Sequence, residues 1–260
     1  MRGILYYFSG TGNTKWVADR FKQNFEIYNI DIDLIDIQYV EDKEVGKCDF
    51  IIIGSPSHVE FPPKIVRDFL NKLDSLKKSK RAIIYCTQAS ESSSACYFIA
   101  KCLRKKGYII SAQISVKMPN NCYFFIGKKP TEKEIKNILI KADKKIKNVI
   151  ESFIKDKSIK GNNFFVKFQL DKIAYHVFKN MVPKLSKNIY ATRECNKCGL
   201  CLRNCPQGNI TFEGGRAIFH SKCILCLRCI HICPINAIRY KDKKIDQTQK
   251  NIIKVLNLNK

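Results

Sequence analysis

The stretch that decides the fold is Phe8–Thr14, FSGTGNT. It follows the apolar run Ile4–Phe8, which is typical of a buried strand, and it precedes an amphipathic run that begins at Lys15. Its two glycines let backbone N–H groups converge, with three hydroxyls and a predicted helix N-terminus beside them. The stretch therefore predicts a phosphate-binding loop.

This loop does not match the common nucleotide motifs. A Walker A loop requires a Lys directly after its second glycine, and Lys15 is not in that register. A dinucleotide loop requires a third glycine at the position of Lys15. The hydroxyls of Ser9, Thr11 and Thr14 suit a single terminal phosphomonoester instead.

Strand-like and helical patterns alternate along the first 155 residues. The predicted strands are Gly3–Phe8, Ile32–Ile37, Asp49–Ile53, Ala82–Cys86 and Tyr108–Val116. The predicted helices are Lys15–Phe25, Pro63–Leu76, Ser93–Lys106 and Thr131–Lys155. This alternation predicts a parallel sheet covered on both faces, with ligands bound beyond the carboxyl ends of the strands.

The last quarter of the chain contains an internal duplication. The motif C-x-x-C-x-x-C-x-x-x-C-P begins at Cys195 and again at Cys223, and GNITFEGGRAIFH between the two copies predicts a hairpin. Three thiolates at i, i+3 and i+6 wrap an iron–sulfur cubane, whereas zinc sites usually pair two ligands and find two more far away. The spacing therefore favours iron–sulfur clusters over zinc or disulfides.

The composition limits the partners and the cellular location that we expect for the protein. The chain has 260 residues, 13 cysteines and a net charge of +24 from 37 Lys and 10 Arg spread over every segment. No nucleic-acid-binding motif accompanies this charge, so we expect no nucleic-acid partner. No apolar run reaches 18 residues and no signal-peptide pattern opens the chain, which predicts a cytoplasmic protein without a membrane span.

The cysteine repeat resembles the bacterial two-cluster ferredoxins, whose fourth cysteine in each run ligates the other cluster. The resemblance implies two 4Fe-4S clusters with crossed ligand sets. One set is Cys195, Cys198, Cys201 and Cys233, and the other is Cys205, Cys223, Cys226 and Cys229. The aliphatic side chains of Ile224, Leu225, Leu227 and Ile230 are expected to keep water from the sulfurs.

Residues 1–155 resemble the flavodoxins, whose first loop reads [ST]-x-T-G-x-T. The resemblance implies FMN bound by four loops that follow strands. The phosphate would be held by Ser9, Gly10, Thr11, Gly12, Asn13 and Thr14. The ring would be lined by Gly54, Ser55, Pro56, Ser57 and His58, then by Thr87, Gln88 and Ala89, and last by Met118, Pro119, Asn120 and Asn121.

The sequence does not specify which side chains touch the flavin ring. Flavodoxins often stack Trp or Tyr on the ring, but Trp16 is expected in the core, which leaves Phe61, Tyr97 or Tyr123. His58 and Cys122 are candidate catalytic residues, although a loop histidine bonded to backbone is the simpler interpretation of His58. Three further thiols outside the repeat, Cys86, Cys96 and Cys102, are predicted to pack as small hydrophobes or to be exposed.

The whole chain resembles the flavodoxin–ferredoxin fusion proteins of anaerobes. The predicted fold is a flavodoxin-like, doubly wound α/β sheet with a small C-terminal α+β two-cluster ferredoxin domain. The predicted divisions are 1–158 for the FMN domain, 159–187 for a connector helix, 188–242 for the ferredoxin domain and 243–260 for a basic tail. We expect the connector helix to pack against protein rather than lie on a membrane surface.

The predicted function is that of an iron–sulfur flavoprotein oxidoreductase. An acidic redox protein, such as ferredoxin or a ferredoxin-reducing enzyme, would reduce the clusters, and the clusters would reduce FMN. FMN would then reduce an unidentified acceptor, for which a small molecule is one candidate. A non-catalytic electron carrier for a partner enzyme is the main alternative, and a redox sensor is a third. The sequence leaves an oligomer possible.

Overall fold

The computed structural model describes residues 1–40, 48–90, 94–159 and 165–258, with side chains given outside 165–167. Ser93, the predicted start of the third helix, and residues 160–164 of the predicted connector lie outside the described residues. The chain divides into two compact units. The first comprises Met1–Ser9, Asn13–Pro119 and Thr131–Tyr175, and the second comprises Gly10–Gly12, Asn120–Pro130 and His176–Lys260.

The first unit alternates strands and helices as the hydrophobic pattern predicts. Its strands are β1 (Arg2–Tyr7), β2 (Asp31–Asp36), β3 (Phe50–Pro56), β4 (Lys80–Gln88) and β5 (Tyr108–Lys117). Its helices are α1 (Asn13–Glu26), α2 (Lys64–Lys72), α3 (Ser94–Lys105) and α4 (Glu132–Ile154). A further helix, α5 (Phe165–Ser186), begins in this unit and ends in the second.

The five strands form one parallel sheet in the order β2-β1-β3-β4-β5. This is the flavodoxin-like order, and the strand sequence reverses between β1 and β3, where such sheets bind ligands beyond the strand ends. Five of the six β1 residues and six of the seven β3 residues are buried, because helices cover both faces of the sheet. The predicted α/β fold is confirmed.

Local sequence explains where two of the helices begin and end. Thr131 caps α4 in a capping box with Glu134, each side chain bonding the other residue's backbone N–H. The second helix ends at Lys72, earlier than the predicted Leu76, because Leu73 has extended backbone angles and closes the last turn on the carbonyl of Phe69. The prediction of a longer α2 was wrong.

Aromatic side chains fill the core on one side of the sheet. Phe25, Phe50 and Phe153 are buried, and the rings of Phe50 and Phe153 lie 4.7 Å apart. Trp16 packs partly buried against this core, as predicted. The core fixes α1 and α4 against the sheet and so positions the loops at the carboxyl ends of the strands.

The second unit consists of short elements. It has strands β6 (Ile189–Ala191), β7 (Ile210–Glu213), β8 (Arg216–Phe219), β9 (Ile238–Tyr240) and β10 (Lys243–Lys244), and helices α6 (Leu200–Arg203) and α7 (Arg228–Ile232). The predicted hairpin is β7–β8, and a second sheet has the order β10-β9-β6. A 3-10 helix follows at Ile252–Leu256. No helix in the described ranges is long and apolar enough to cross a membrane.

Candidate flavin and iron–sulfur sites

The carboxyl ends of β1, β3, β4 and β5 bring the predicted flavin loops of the first unit together. The hydroxyls of Thr14 and Thr87 lie 2.8 Å apart, both buried. The backbone N–H of Ser57 donates to the carbonyl of Thr87 at 2.9 Å, and that of Met118 donates to the carbonyl of Gln88 at 2.8 Å. Four loops that are distant in sequence therefore share one edge of the sheet.

The predicted phosphate loop leads directly into α1. This helix begins at Asn13, so the N–H groups of its first turn point towards the loop. The hydroxyls of Ser9, Thr11 and Thr14 are buried. The backbone N–H groups of Gly10 and Thr11 have no acceptor within the part of the chain that the structure describes. The donor set fits a phosphate group.

Side-chain amides at the same edge offer further hydrogen bonds. The Asn13 amide nitrogen donates to the carbonyl of Pro119 at 3.0 Å, whereas its Oδ1 is buried without a partner. Both polar atoms of the Gln88 side chain are also buried without a partner in the described residues, while Ala89 beside it is exposed. Such orphaned polar groups are costly unless a ligand pairs them, which fits the polar edge of a flavin ring.

The loop after β3 closes in a tight turn. His58 and Phe61 exchange backbone hydrogen bonds of 2.8 and 3.2 Å, and the two residues between them, Val59 and Glu60, have φ angles of 47° and 65°. Left-handed backbone is rare for a β-branched residue such as Val59, and it clusters at ligand-binding loops. The turn fixes the orientation of His58.

The environment of His58 disfavours its charged form. Desolvation by burial lowers the pKa of its imidazole to about 4. The side chain is therefore neutral near pH 7 and does not carry an extra proton for transfer to a flavin. The role of His58 beside a flavin stays a prediction.

The three candidate aromatics differ in their surroundings. Phe61 is buried and lies 5.1 Å from the ring of Tyr175 and 5.4 Å from that of Phe168. Tyr97 is half-buried and contacts Phe168 edge-on. Tyr123 belongs to the second unit. Phe61 thus packs against aromatic side chains of the first unit.

The second unit contains the tip of the predicted phosphate loop, Gly10–Gly12, together with the cysteine repeat. A Cβ built on Gly10 would lie 2.7 Å from the carbonyl oxygen of Cys226, and one built on Gly12 would lie 2.5 Å from that of Ile252. Gly12 also has a φ of +99°. Only glycine permits this close approach at both positions.

Polar contacts fix the loop tip within the second unit. The Arg228 side chain is buried and donates from Nε to the carbonyl of Gly10 at 2.9 Å and from Nη1 to that of Asn204 at 3.0 Å. The Asn121 amide donates to the Thr11 hydroxyl at 2.7 Å. Predicted flavin residue Asn121 and predicted phosphate residue Thr11 are therefore brought together.

The segment after β5 makes its own turn in the second unit. The Asn120 side-chain oxygen accepts from the backbone N–H of Cys122 at 2.9 Å and from its thiol at 3.3 Å. Burial raises the pKa of the Cys122 thiol. His231 Nε2 contacts the carbonyl of Asn121 at 2.9 Å. Cys122 is thus a satisfied, protonated thiol rather than an activated nucleophile.

The C-terminal segment packs against these elements. The Gln247 amide donates to the carbonyls of Ile230 at 2.8 Å and Cys233 at 2.7 Å. Tyr123 and Asp246 share a bond of 2.8 Å from the Asp246 N–H to the phenolic oxygen, and Ile252 is buried. The predicted basic tail therefore contributes structure to the second unit.

The two cysteine motifs have the same backbone geometry. Positive φ angles recur at a shift of 28 residues: 60° at Lys197 and 53° at Leu225, then 73° at Gly199 and 62° at Leu227. These residues precede α6 and α7, which occupy equivalent places in the two copies. The sequence duplication is therefore a structural duplication.

Hydrogen bonds to sulfur repeat in the same way. Cys205 Sγ accepts from the backbone N–H of Asn209 at 3.3 Å, and Cys233 Sγ accepts from that of Ala237 at 3.2 Å. In each copy the donor lies four residues after the last cysteine. Such bonds stabilise negative charge on a sulfur ligand.

Neighbouring thiols raise the pKa values of Cys201 and Cys223, each within its own group of cysteines. Burial, together with the neighbouring thiols of Cys195, Cys233 and Cys198, raises the pKa of Cys201 to about 11. Burial and the thiols of Cys226 and Cys205 raise the pKa of Cys223 to about 12. Crowded buried thiols resist ionisation unless a metal supplies positive charge, so both groups fit iron–sulfur ligation.

A cavity in the second unit is lined by Cys205, Cys223, Cys226 and Cys229, with apolar side chains such as Ile210 and Phe219 around them. No three His, Cys, Asp or Glu side chains in the described residues converge on a position for a single metal ion. A cubane requires a different arrangement, because each iron takes one thiolate and the sulfurs surround the cluster. The four thiols of the cavity suit that arrangement.

Apolar side chains surround the sulfurs as predicted. Leu225, Leu227 and Ile230 are buried and pack in one cluster with Ile238 and Ile245, and Ile224 is half-buried. Among the thirteen cysteines, Cys198 is the one that is exposed. Solvent therefore reaches the ligand set most directly at Cys198.

Sequence reasoning missed Arg228 and His231. Aligning the repeats at 28 residues places Leu200 opposite Arg228 and Arg203 opposite His231. Arg228 and His231 are buried, and burial lowers the pKa of His231 to about 4. The available signal was that Arg228 and His231 differ in residue type from the equivalent residues of the first motif.

Comparison with known proteins identifies two kinds of domain in the chain. A flavodoxin domain model matches residues 4–128, and a 4Fe-4S dicluster domain model matches residues 187–234. An uncharacterized polyferredoxin-like protein of Methanocaldococcus jannaschii is 36% identical over 70 residues, which are 27% of this chain and 31% of that protein. The chain thus spans about a third of the length of the curated relative it matches.

Solved flavodoxins align with the first part of the chain. A flavodoxin from the domain Archaea is 20% identical with a TM-score of 0.44, covering 58% of this chain and 98% of its own. Flavodoxin 2 from Bacillus cereus is 18% identical with a TM-score of 0.45, covering 60% of this chain and 99% of its own.

The fold, the loop edge and the thiol groups define an electron-transfer protein with flavin and iron–sulfur cofactors. Within that class, the chain is a fusion of an N-terminal flavodoxin domain, which binds FMN, with a C-terminal 4Fe-4S dicluster domain.

Proposed function

We propose that this protein is an iron–sulfur flavoprotein that exchanges electrons between two 4Fe-4S clusters and FMN and delivers them to an acceptor. Bound iron–sulfur clusters supply one-electron steps, and bound FMN accepts or donates one or two electrons. The observation that carries the proposal is that Gly10–Gly12, the tip of the phosphate loop, belongs to the same compact unit as the cysteine repeat, with Gly10 against Cys226.

The residues have the following proposed roles. The first ligand set is Cys195, Cys198, Cys201 and Cys233, and the second is Cys205, Cys223, Cys226 and Cys229. The influence of the Cys195, Cys198 and Cys233 thiols on the pKa of Cys201 supports the first set, and that of the Cys226 and Cys205 thiols on the pKa of Cys223 supports the second. The phosphate of FMN would be held by Ser9–Thr14, and its ring would be oriented by Ser55–His58, Thr87–Ala89, Asn120 and Asn121.

Protein groups near the second ligand set favour negative charge there. Burial raises the pKa of the Cys226 thiol, and the guanidinium and backbone N–H of Arg228 partly offset that effect. Arg228 also holds the Gly10 carbonyl, so one buried side chain contacts the phosphate loop and stabilises a sulfur ligand. We infer that Arg228 positions both elements.

Anaerobic purification and cofactor analysis test the cofactor assignment. We expect about one FMN and about eight iron atoms per chain, with matching acid-labile sulfide. A C223S/C226S variant should lose about half of the iron and keep FMN. About four iron atoms in the unaltered protein would contradict the second cluster, and iron without flavin would contradict the FMN assignment.

Single-turnover mixing tests the electron path. The clusters of the unaltered protein are reduced with a substoichiometric photochemical reductant, and flavin absorbance is followed without oxygen. Flavin bleaching that is much slower in C223S/C226S supports the proposal, and flavin that stays oxidised overturns it. Turnover of small acceptors distinguishes the oxidoreductase from a pure electron carrier, which would react with a protein partner alone.

A further inference from the structure

The second unit has a cationic pocket next to the first proposed ligand set. It is a cavity of about 220 Å³ lined by Arg193, Lys197 and Arg216 together with Cys195 and the β7–β8 turn. All three basic side chains are exposed. The turn residues Gly214 and Gly215 have no side chains to fill the cavity, and the Lys197 ammonium lies over Gly215.

The acids nearest the pocket hydrogen-bond to groups other than its three cations. Glu194 accepts from Arg239 at 3.0 Å, and Glu213 accepts from the Thr211 hydroxyl at 2.7 Å. Within the described ranges, Arg193, Lys197 and Arg216 make no ion pair or side-chain hydrogen bond. Three exposed basic side chains therefore converge on one cavity, and within the described residues none of them is held in an ion pair, although Glu213 lies opposite Arg216 in the β7–β8 hairpin.

The pocket lies where the cysteine ligands reach solvent. Cys195 lines it, and the neighbouring Cys198 is exposed. A fourth cation, Arg203, donates from Nη2 to the carbonyl of Cys198 at 3.0 Å. A partner docked on these charges would therefore sit beside the most accessible part of the ligand set, which is the position required for electron exchange between proteins.

We propose that Arg193, Lys197 and Arg216 form the docking site for an acidic redox protein. The inference rests on the proposed function and names its partner surface. Carboxylates of the partner pair with the three cations, and the small cavity admits an acidic side chain. Complementary charge of this kind accelerates encounter and fixes orientation, and salt screens it.

The binding test uses the full chain with its cofactors and an acidic bacterial two-cluster ferredoxin as the probe. The pocket variant is R193Q/K197Q/R216Q. The matched control, K243Q/K244Q/K250Q, removes the same number of charges from exposed residues elsewhere in the second unit. Far-UV circular dichroism and iron per chain verify that both variants are folded and loaded.

We expect the pocket variant to weaken ferredoxin binding at low ionic strength at least about tenfold and the control variant to change it less than about twofold. Binding to the unaltered protein should fall steeply with salt, and the pocket variant should lose most of that dependence. Equal losses in both variants, or no binding to the unaltered protein, overturn the proposal.

Two further measurements separate the alternatives. A duplex DNA of mixed sequence is titrated in parallel, and pocket-dependent binding of DNA without binding of ferredoxin assigns the surface to a nucleic acid and overturns the proposal. Flavin reduction by a photochemical reductant is followed in the same samples. Pocket-dependent ferredoxin binding without flavin reduction supports the docking site and contradicts the proposed function. A failure of the docking proposal can therefore be told apart from a failure of the proposed function.

Discussion

The Nε of Arg228 donates a 2.9 Å hydrogen bond to the backbone carbonyl of Gly10, 218 residues away in the sequence. The same guanidinium donates from Nη1 to the carbonyl of Asn204. Arg228 begins α7 between Cys226 and Cys229, and Gly10 is part of the predicted phosphate loop. One buried side chain therefore ties the loop to the second cysteine motif within the second unit.

Replacing Arg228 by Met should weaken FMN binding at least about tenfold. The change leaves the carbonyls of Gly10 and Asn204 without these donors, and each buried group that loses its partner costs roughly 1–3 kcal/mol. R228K should have an intermediate effect, because an ammonium does not reproduce the two-pronged geometry of a guanidinium. Fluorescence titration of the flavin-free chain with FMN measures the dissociation constants.

R104M is the control for this prediction, because Arg104 is exposed in the first unit. It should leave FMN affinity unchanged. Equal affinity in R228M and the unaltered protein would show that the Gly10 carbonyl needs no donor. The midpoint potential of the flavin provides a second readout, since removing a positive charge near a bound redox group lowers its potential.

The fold was predictable because its signals are local. Alternating apolar strands and amphipathic helices specify the five-stranded parallel sheet, and the glycines and hydroxyls of Phe8–Thr14 mark the loop after β1. The end of α2 was not predictable from the pattern, since Leu73 is as compatible with a helix as Leu70. In the structure the Leu73 carbonyl accepts from the Lys106 ammonium, and the Leu76 N–H donates to the carbonyl of Lys106, which are tertiary contacts that the local sequence does not reveal.

The candidate sites were predictable in part. Thiolate spacing predicts the proposed ligands, but nothing in the local sequence of Arg228 indicates that it reaches Gly10, because such contacts depend on folded geometry. The same holds for Ile252, whose carbonyl approaches Gly12. His58 was visible as a polar residue in a flavin loop, whereas the burial that lowers its pKa is a property of the packed structure.

Replacing Gly12 by Ala should destabilise the phosphate loop for two reasons. Its φ of +99° disfavours any side chain, and the new Cβ would lie 2.5 Å from the backbone oxygen of Ile252. Gly214 separates the two effects, because its φ is +52° and a Cβ there meets nothing within 4 Å. We expect G214A to cost about 1 kcal/mol in the free energy of unfolding.

G12A should cost clearly more than G214A and should also weaken FMN binding, which G214A should not. Chemical denaturation of the loaded proteins, followed by flavin fluorescence and circular dichroism, measures both quantities. Similar losses in the two variants would show that backbone strain alone matters and that the approach of Ile252 to Gly12 is unimportant.

Paired cysteine substitutions test the crossed ligand sets. If Cys201 and Cys233 belong to one set, C201S/C233S should lose one cluster and keep about four iron atoms per chain. C201S/C205S would damage both sets and should lose nearly all of the iron. If each motif instead holds its own cluster, C201S/C205S should keep about four iron atoms per chain and C201S/C233S should lose nearly all of the iron. Iron analysis and electron paramagnetic resonance of the reduced proteins decide between the two arrangements.

Acidification should destabilise the protein through His58. Its folded pKa is about 4, whereas the unfolded value is about 6.5, so the unfolded chain binds more protons between these pH values. Stability is therefore lost as pH falls through this window, by up to about 3 kcal/mol. H58Q should reduce the slope of the unfolding midpoint against pH between about pH 5 and 7 by roughly half, because buried His231, whose pKa is also lowered to about 4, contributes a similar dependence. H176Q, at an exposed position, should leave the slope unchanged. An undiminished slope in H58Q would assign the acid sensitivity to other groups.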